Sequence, residues 1–136
     1  MKTLLFIGLG VLLALSFACK KDSNPSDCTK LEGIWHAESW KEDTVQVLGS
    51  NSLVISSQLE FKVLTGDQGD YEWNTNYSLG QEMVIGSYVV NSDCNHVTLT
   101  PKGGTAHDDF DFHFNGDVLI LEGFFIGANT EIQLRK

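Results

Sequence analysis

The sequence predicts an all-β protein, an eight-stranded antiparallel up-and-down barrel that follows a cleaved signal peptide. Short runs alternate apolar with polar residues: Leu59, Phe61 and Val63 are interleaved with Glu60 and Lys62. Such alternation is typical of strands, because successive side chains point to opposite faces. Gly, Asn and Asp interrupt the runs, as they do at tight turns. Beyond the leader, no run has the period of an amphipathic helix.

The turn signals divide the chain into eight runs of strand character. We predict strands at residues 33–45, 53–64, 70–76, 82–90, 96–100, 107–114, 117–123 and 130–135. Asn115-Gly116 is a strong signal for a two-residue hairpin. Short connections favour antiparallel neighbours, and hence a meander. Eight such strands can close into a small barrel whose interior is filled or holds one small ligand.

The N-terminus has the pattern of a secretory leader. Lys2 precedes an apolar run that ends at Ala18, too short to span a bilayer, which takes about 20 apolar residues. We therefore assign residues 1–18 to a signal peptide. The segment Leu15-Ser-Phe-Ala-Cys19 resembles a bacterial lipobox. That resemblance implies cleavage before Cys19 and a diacylglyceryl group on its sulfur. The alternative is a plain secreted protein with a spare cysteine.

Residues 19–30 form a polar stretch that we interpret as a flexible tether, since it has almost nothing apolar to bury. Residues 31–136 then form the single folded domain. The start Cys-Lys-Lys-Asp resembles gram-negative lipoproteins sent to the outer membrane. We therefore expect the protein in the cell envelope, at the outer membrane. It lies on either the periplasmic or the surface face, and the sequence does not decide between the two.

The chain is strongly acidic. It carries 18 Asp and Glu against 9 Lys and Arg, for a net charge of −9. This balance argues against nucleic acid as a partner and against electrostatic binding to anionic lipid headgroups. We expect membrane contact through the lipid anchor only, and a monomer.

Three cysteines are present. With Cys19 committed to lipid, Cys28 and Cys94 remain in an oxidising compartment, and an even remainder indicates a disulfide. In the predicted meander, Cys28 lies just before the first strand and Cys94 in the turn between the fourth and fifth. The two cysteines therefore lie at the same end of the barrel, as a disulfide requires. Two free thiols are the alternative.

The first predicted strand begins with the sequence Leu31-Glu-Gly-Ile-Trp35. A Gly-x-Trp on the first strand of an eight-stranded meander resembles the lipocalin-like domains of bacterial lipoproteins, within the calycin group of barrels. The resemblance covers about residues 31–136. In lipocalins this Trp closes the barrel floor and stacks with an Arg near the last strand. The resemblance thus implies a structural pair of Trp35 with Arg135, the only arginine of the chain, worth about 0.5–2 kcal/mol.

One strand carries a stripe of residue types that can bind metals. Because side chains at i and i+2 share a face, the sixth strand aligns His107, Asp109, Asp111 and His113. Such side chains start roughly 6.5–7 Å apart, so we favour a stripe that faces water while the intervening phenylalanines face the core. The sequence contains no recognisable catalytic or phosphate-binding motif. We therefore predict no enzyme, no cofactor and no metal.

Aromatic side chains are the candidates for lining a ligand cavity. The ligand-binding candidates lie on strands or in the last loop: Tyr71, Trp73, Tyr88, Phe112, Phe124 and Phe125. The last two either form a rim at the open mouth or extend the strand into the barrel. We predict a binding module for a small apolar or amphipathic ligand, with a cavity of about 300 Å³ or more at this end. The alternative is a filled barrel that acts as a structural or interaction protein. It predicts an exposed apolar patch, for which Trp40 is a candidate because it lies in opposite phase to Trp35.

Overall fold

A computed structural model describes residues 27–136 of the protein. The predicted leader, Cys19 and most of the tether lie outside the described residues. A short 3-10 turn, Cys28–Leu31, precedes nine strands: β1 Gly33–Glu42, β2 Val45–Gln46, β3 Val54–Phe61, β4 Gln68–Tyr77, β5 Gly80–Val90, β6 His96–Pro101, β7 Asp108–Asn115, β8 Val118–Phe125 and β9 Ala128–Arg135. Within residues 27–136 no helix is long and apolar enough to cross a membrane.

The strands form one closed antiparallel barrel. From β3 to β9 each strand pairs with the next along the chain, and β1 pairs with both β3 and β9. The eight-stranded up-and-down barrel that the sequence predicts is therefore confirmed. The ninth strand, β2, is a two-residue arm on the end of β1.

The first predicted strand, residues 33–45, ends earlier than the alternation suggests. The chain reverses at Asp43-Thr44, both of which have positive φ (47° and 77°), as a type I′ hairpin turn requires. Asp43 Oδ1 accepts a hydrogen bond from the Asn129 amide at 3.0 Å, which ties this turn to β9. The pair Asp-Thr lacks the glycine that usually marks such turns. The Asn115-Gly116 hairpin is confirmed, but its loop is Gly116-Asp117, one residue later than predicted.

Two bulges change which side chains face inward. The register shifts between Ala37 and Ser39 in β1, and between Val54 and Ser56 in β3. A bulge adds one residue to a strand and so reverses the alternation beyond it. As a result Trp35 and Trp40 both point into the barrel, with exposures of 3% and 1%. The expectation that Trp40 lies in opposite phase, as an exposed patch, is wrong for this reason.

Three cross-strand pairs set an aromatic residue opposite a glycine. Tyr88 lies opposite Gly69 and Tyr71 opposite Gly86; the third pair is Phe110 with Gly123. A Cβ on Gly69 would lie 2.6 Å from the Tyr88 ring, and one on Gly86 would overlap the Thr100 carbonyl oxygen. Glycines at such positions let a sheet bend sharply, and a neighbouring ring covers the exposed backbone.

The floor of the barrel is closed by the residues before β1. Leu31 is fully buried, and Trp35 Nε1 donates a 2.7 Å hydrogen bond to its carbonyl oxygen. The Cys28–Cys94 disulfide joins this turn to the β5–β6 connection, with Cα atoms 5.3 Å apart. The predicted disulfide and its position at one end of the barrel are thus confirmed.

The predicted pair of Trp35 with Arg135 does not form. Leu134 faces the core, so Arg135 points outward, where it contacts Glu38 at 2.8 Å and Asp117 at 2.6 Å. Lys136 follows in the inward phase, and its Nζ lies 4.7 Å from the centroid of the Trp35 ring. The structure therefore has a cation over the floor tryptophan, but lysine supplies it.

Replacing both cysteines (Cys28→Ser with Cys94→Ser) is expected to lower the free energy of unfolding by about 4 kcal/mol. The reason is that the disulfide spans 66 residues and restricts the unfolded chain. Urea unfolding of the oxidised protein and the variant measures the difference. Ser92→Ala, an exposed change in the same turn, is the control. A loss below about 1 kcal/mol would contradict the expectation.

Candidate ligand-binding site

The end of the barrel opposite the floor holds a cavity of about 300 Å³. The β1–β3, β4–β5, β6–β7 and β8–β9 connections meet at this end. The wall is mainly aromatic, with several polar groups: Trp40, Tyr71, Trp73, Thr75, Tyr77, Glu82, Val84, Pro101, Asp108, Phe125 and Ile126. We call this space the mouth cavity.

Phe125 is the centre of the aromatic wall. Its ring stacks on Trp73 with centroids 5.1 Å apart and an interplanar angle of 14°. It also lies 5.9 Å from the Trp40 ring and 5.8 Å from the Phe110 ring. Phe124, the next residue outward in the alternation, is 65% exposed on the outer wall. The two phenylalanines thus extend β8, and one of them reaches into the barrel.

The lower half of the interior is filled by side chains. Tyr88 is fully buried, packs edge-on against Phe61 at 4.9 Å, and donates a hydrogen bond to the Lys62 carbonyl oxygen. Phe112 is 3% exposed and contacts Phe114. Neither Tyr88 nor Phe112 lines the mouth cavity. Of the predicted ligand-binding residues, the structure brings Tyr71, Trp73 and Phe125 together there.

Hydrogen bonds fix one of the two cavity tryptophans. Trp73 Nε1 donates to Ser57 Oγ at 2.8 Å, and that hydroxyl lies 3.0 Å from Thr75 Oγ1. Trp40 Nε1, in contrast, is buried and has no hydrogen-bond partner among the described residues. An unsatisfied buried donor costs about 1–3 kcal/mol. The Trp40 ring therefore packs in the cavity wall at an energetic cost that a phenyl ring would avoid.

Carboxylates stand beside the tyrosines of the cavity. Tyr77 donates a hydrogen bond to Glu82 at 3.3 Å, and its pKa is raised by burial and by the Glu82 and Glu42 charges. Burial raises the pKa of Tyr71 to about 12, and the Asp108 charge adds to the shift. Burial also raises the pKa of Asp108 itself. Sequence reasoning missed Glu82 and Asp108, because acidic residues at strand ends usually face solvent.

The turn between β8 and β9 is strained. Its two residues, Ile126 and Gly127, have φ of 50° and 81°, as a type I′ turn requires. Positive φ is a genuine outlier for a β-branched residue, and costs about 1–3 kcal/mol. In return the turn places the Ile126 side chain on the wall of the mouth cavity. Strain of this kind often occurs at functional sites.

Of the predicted stripe, Asp109, Asp111 and His113 lie on the outer face of β7 and His107 just before it, while Phe110 and Phe112 face the core. The stripe's main contact comes from His96 of β6, which lies 2.8 Å from Asp111 and 3.3 Å from Asp109. The hydrogen bond to Asp111 raises the pKa of His96. Within residues 27–136, no group of three or more His, Cys, Asp and Glu side chains could hold a metal.

Larger hollows lie elsewhere on the protein, with volumes of about 320, 350, 620 and 830 Å³. The hollow of about 620 Å³ lies beside Gly86 and Lys102, and that of about 830 Å³ lies beside Phe124 and Glu131. Each of these two has a single aromatic side chain in its wall. The mouth cavity is smaller, but it alone among these three combines a wall of several aromatic side chains with convergent polar groups, which is typical of ligand sites.

Comparison with known proteins defines the fold. No protein-family model and no curated protein matches the chain. Among solved structures, a redesigned β-barrel is similar with a TM-score of 0.60 and 13% identity, covering 82% of this chain and 96% of that one. A second, mFAP1 bound to DFHBI, has a TM-score of 0.57 and 16% identity, with coverages of 82% and 99%. The siderocalin Ex-FABP has a TM-score of 0.52 and 9% identity, with coverages of 78% and 73%. The chain therefore has a lipocalin-like barrel fold.

Ile126→Asn is expected to raise the free energy of unfolding by about 1 kcal/mol, because asparagine tolerates positive φ and isoleucine does not. For a domain of this size, the melting temperature should rise by about 4–8 °C. Thermal unfolding followed by circular dichroism measures the change. The matched control is Ile85→Asn, on the outer face of a regular strand, which should bring no gain. A fall in melting temperature for Ile126→Asn would show that the turn is not strained.

Proposed function

We propose that this protein is a binding module for a small apolar or amphipathic ligand, which it holds in the mouth cavity. The observation that carries the proposal is a cavity of about 300 Å³ that opens at one end of a barrel whose other half is packed. This volume is at the lower end of the range for ligand sites. The ligand is therefore small, and aromatic or aliphatic groups form most of its contacts.

The solved barrels support the capacity of this architecture to hold a ligand. One relative in fold is described as bound to DFHBI, and the siderocalin Ex-FABP is described as having dual ligand specificities. At 9–16% identity these likenesses concern the fold alone. The proposal for this chain depends on its own cavity wall, above all on the Trp73–Phe125 stack.

A structural or interaction protein is the second candidate. Exposed apolar side chains favour it, among them Leu79 at 95% and Met83 at 61% exposure. Leu79 lies at the tip of the β4–β5 hairpin and Met83 on the outer face of β5. Met83 has Ile85 beside it on the same face of β5, and Leu79 lines a small hollow with Leu53. Exposed apolar side chains are nevertheless normal on protein surfaces. The mouth cavity is the more specific feature, so we favour the binding module.

We also propose that the barrel is held at the outer membrane through lipid on Cys19. The described part of the chain begins at the floor end, where the 3-10 turn starts at Cys28. Nine residues of extended chain span at most about 30 Å. The floor would then lie near the membrane, and the mouth cavity would point away from it toward an incoming ligand.

The fluorescent probe N-phenyl-1-naphthylamine, which is neutral and apolar, is expected to bind the protein with a one-to-one, saturable rise in emission. Val84→Phe should weaken this binding by about tenfold or more, because Val84 lines the mouth cavity and the larger phenyl ring would occupy space that the probe needs. Titration followed by fluorescence gives both affinities.

Ile85→Phe is the matched control, since Ile85 neighbours Val84 but faces the outer wall at 45% exposure. It should leave binding unchanged. Should Val84→Phe fail to fold, Ile126→Asn offers a second test, because it removes an apolar group from the cavity wall. Absence of probe binding to the unmodified protein, or equal binding by all variants, would count against the proposal.

Expression of the full chain in a gram-negative host is expected to yield a membrane-associated protein that begins at Cys19 and carries lipid. Cys19→Ser should release it from the membrane fraction, since a stable anchor needs two or more acyl chains. Intact mass and fractionation provide the measurements. Cys28→Ser is the control for loss of a cysteine as such. Unlipidated, soluble wild-type protein would refute the anchor and leave ligand binding untouched.

A further inference from the structure

The charged groups in the wall of the mouth cavity are all of one sign. Among the described residues that line it, Glu82 and Asp108 are acidic and none is basic. A third carboxylate, Glu42, lies close enough to Tyr77 to affect its pKa. The rest of the wall is aromatic, and aromatic faces attract cations. Negative charge and π faces thus converge on one small space.

We propose that the ligand is a cationic amphiphile: an apolar, aromatic-sized body that carries a protonated amine. This inference rests on the proposed function and adds the charge of the ligand to it. The body packs against the rings of the mouth cavity, and the ammonium group lies at the rim between Asp108 and Glu82. An anionic ligand would meet two carboxylates there, within a chain of net charge −9.

Asp108 is the carboxylate that a bound cation would stabilise most. It is half-buried at the start of β7, and it makes no hydrogen bond or salt bridge with residues 27–136, although the neighbouring His107 offsets part of its burial through space. A buried carboxylate without such a partner is costly, and a cation beside it removes much of that cost. Burial raises the pKa of Asp108, which is the expected sign for a carboxylate that has lost water without gaining a hydrogen-bonded partner.

The nearby cations of the protein are directed elsewhere. Lys41 pairs with Glu131 at 3.8 Å on the outer wall. His107 is 56% exposed and contacts Asp109 at 3.4 Å, and its influence on the pKa of Asp108 is smaller than that of burial. Lys102 lines the hollow beside Gly86, on the outside of the barrel. Each is therefore outside the wall of the mouth cavity, and a ligand cation would meet no like charge in it.

Glu82 is oriented by the protein. The Tyr77 hydroxyl donates to its Oε2, which leaves the other carboxylate oxygen free to accept. Because Glu82 lies on β5 and Asp108 on β7, the two carboxylates approach the mouth cavity from different strands. Charge-assisted hydrogen bonds are about twice as strong as neutral ones, so the pair can select for charge.

Three probes with the same body and different charge test the inference: 4-phenylbutylammonium, 4-phenylbutanol and 4-phenylbutyrate. Isothermal titration calorimetry at pH 7 and low salt measures their affinities. We expect the ammonium to bind about tenfold tighter than the alcohol, and the carboxylate to bind weakest. Added salt should lower the affinity for the ammonium and leave the affinity for the alcohol unchanged, because salt screens only the charged contact.

Asp108→Asn and Glu82→Gln are expected to reduce the affinity for the ammonium about fivefold to tenfold each. Neither should change the affinity for the alcohol. Asp111→Asn and Glu122→Gln make the same changes of charge on the outer walls of β7 and β8. These controls should bind all three probes as the unmodified protein does, which separates local contact from net charge.

The outcomes separate the two proposals. If N-phenyl-1-naphthylamine binds but the ammonium binds no better than the alcohol, the cation inference is overturned and the binding module stands. The same holds if the carboxylate binds tightest, or if the outer-wall controls lose as much affinity as Asp108→Asn. If neither the naphthylamine nor any phenylbutyl probe binds, the proposed function itself fails.

Discussion

The seam between β1 and β9 is the constraint on which the rest of the structure depends. Closing eight strands into a ring leaves an interior only wide enough for side chains or one small ligand. Everything inside must then fit a fixed circumference. The three glycine–aromatic pairs meet this demand, since each glycine lets a strand bend. The space that a Cβ would need is taken by the opposite ring and, at Gly86 and Gly123, also by a backbone carbonyl oxygen. Side chains fill the floor half of this interior completely, and they leave the mouth cavity open in the other half.

The bulges of β1 and β3 connect this constraint to the site. Both lie between the floor and the mouth, and both reverse the alternation on the mouth side. Without the bulge in β1, Trp40 would face solvent, and the mouth cavity would lose one of its aromatic walls. The same sheet thus packs a conventional apolar core below and concentrates tryptophan, tyrosine and carboxylate side chains above. The cost is visible in Trp40 Nε1, buried without an acceptor in the described part of the chain.

The sequence predicts the architecture well because strand alternation and turn residues are local signals. Eight strands and the meander follow from them, and the disulfide follows from the number of cysteines together with that meander. Three features depend on tertiary geometry instead. The bulge that turns Trp40 inward leaves no mark in the alternation, and the turn at Asp43 lacks a glycine. The cation over Trp35 follows from the phase of β9, which favours Lys136 over Arg135. Part of the candidate site could be predicted from the sequence, because aromatic residues indicate a cavity wall. The inward position of the carboxylates is known only from the pairing of the strands.

Barrel closure also bears on how such molecules coexist when crowded. A sheet edge is a template for pairing with another chain, and exposed edges promote aggregation. In residues 27–136 the pairing of β1 with β9 removes the two edges that an open sheet of eight strands would have. Only short stretches stay without a second neighbour, among them residues 80–85 of β5, which pair with β4 alone, and the two-residue arm β2. Proteins confined to a membrane surface, as we propose for this one, encounter each other far more often than in solution. A closed ring of strands offers its neighbours there little edge to pair with.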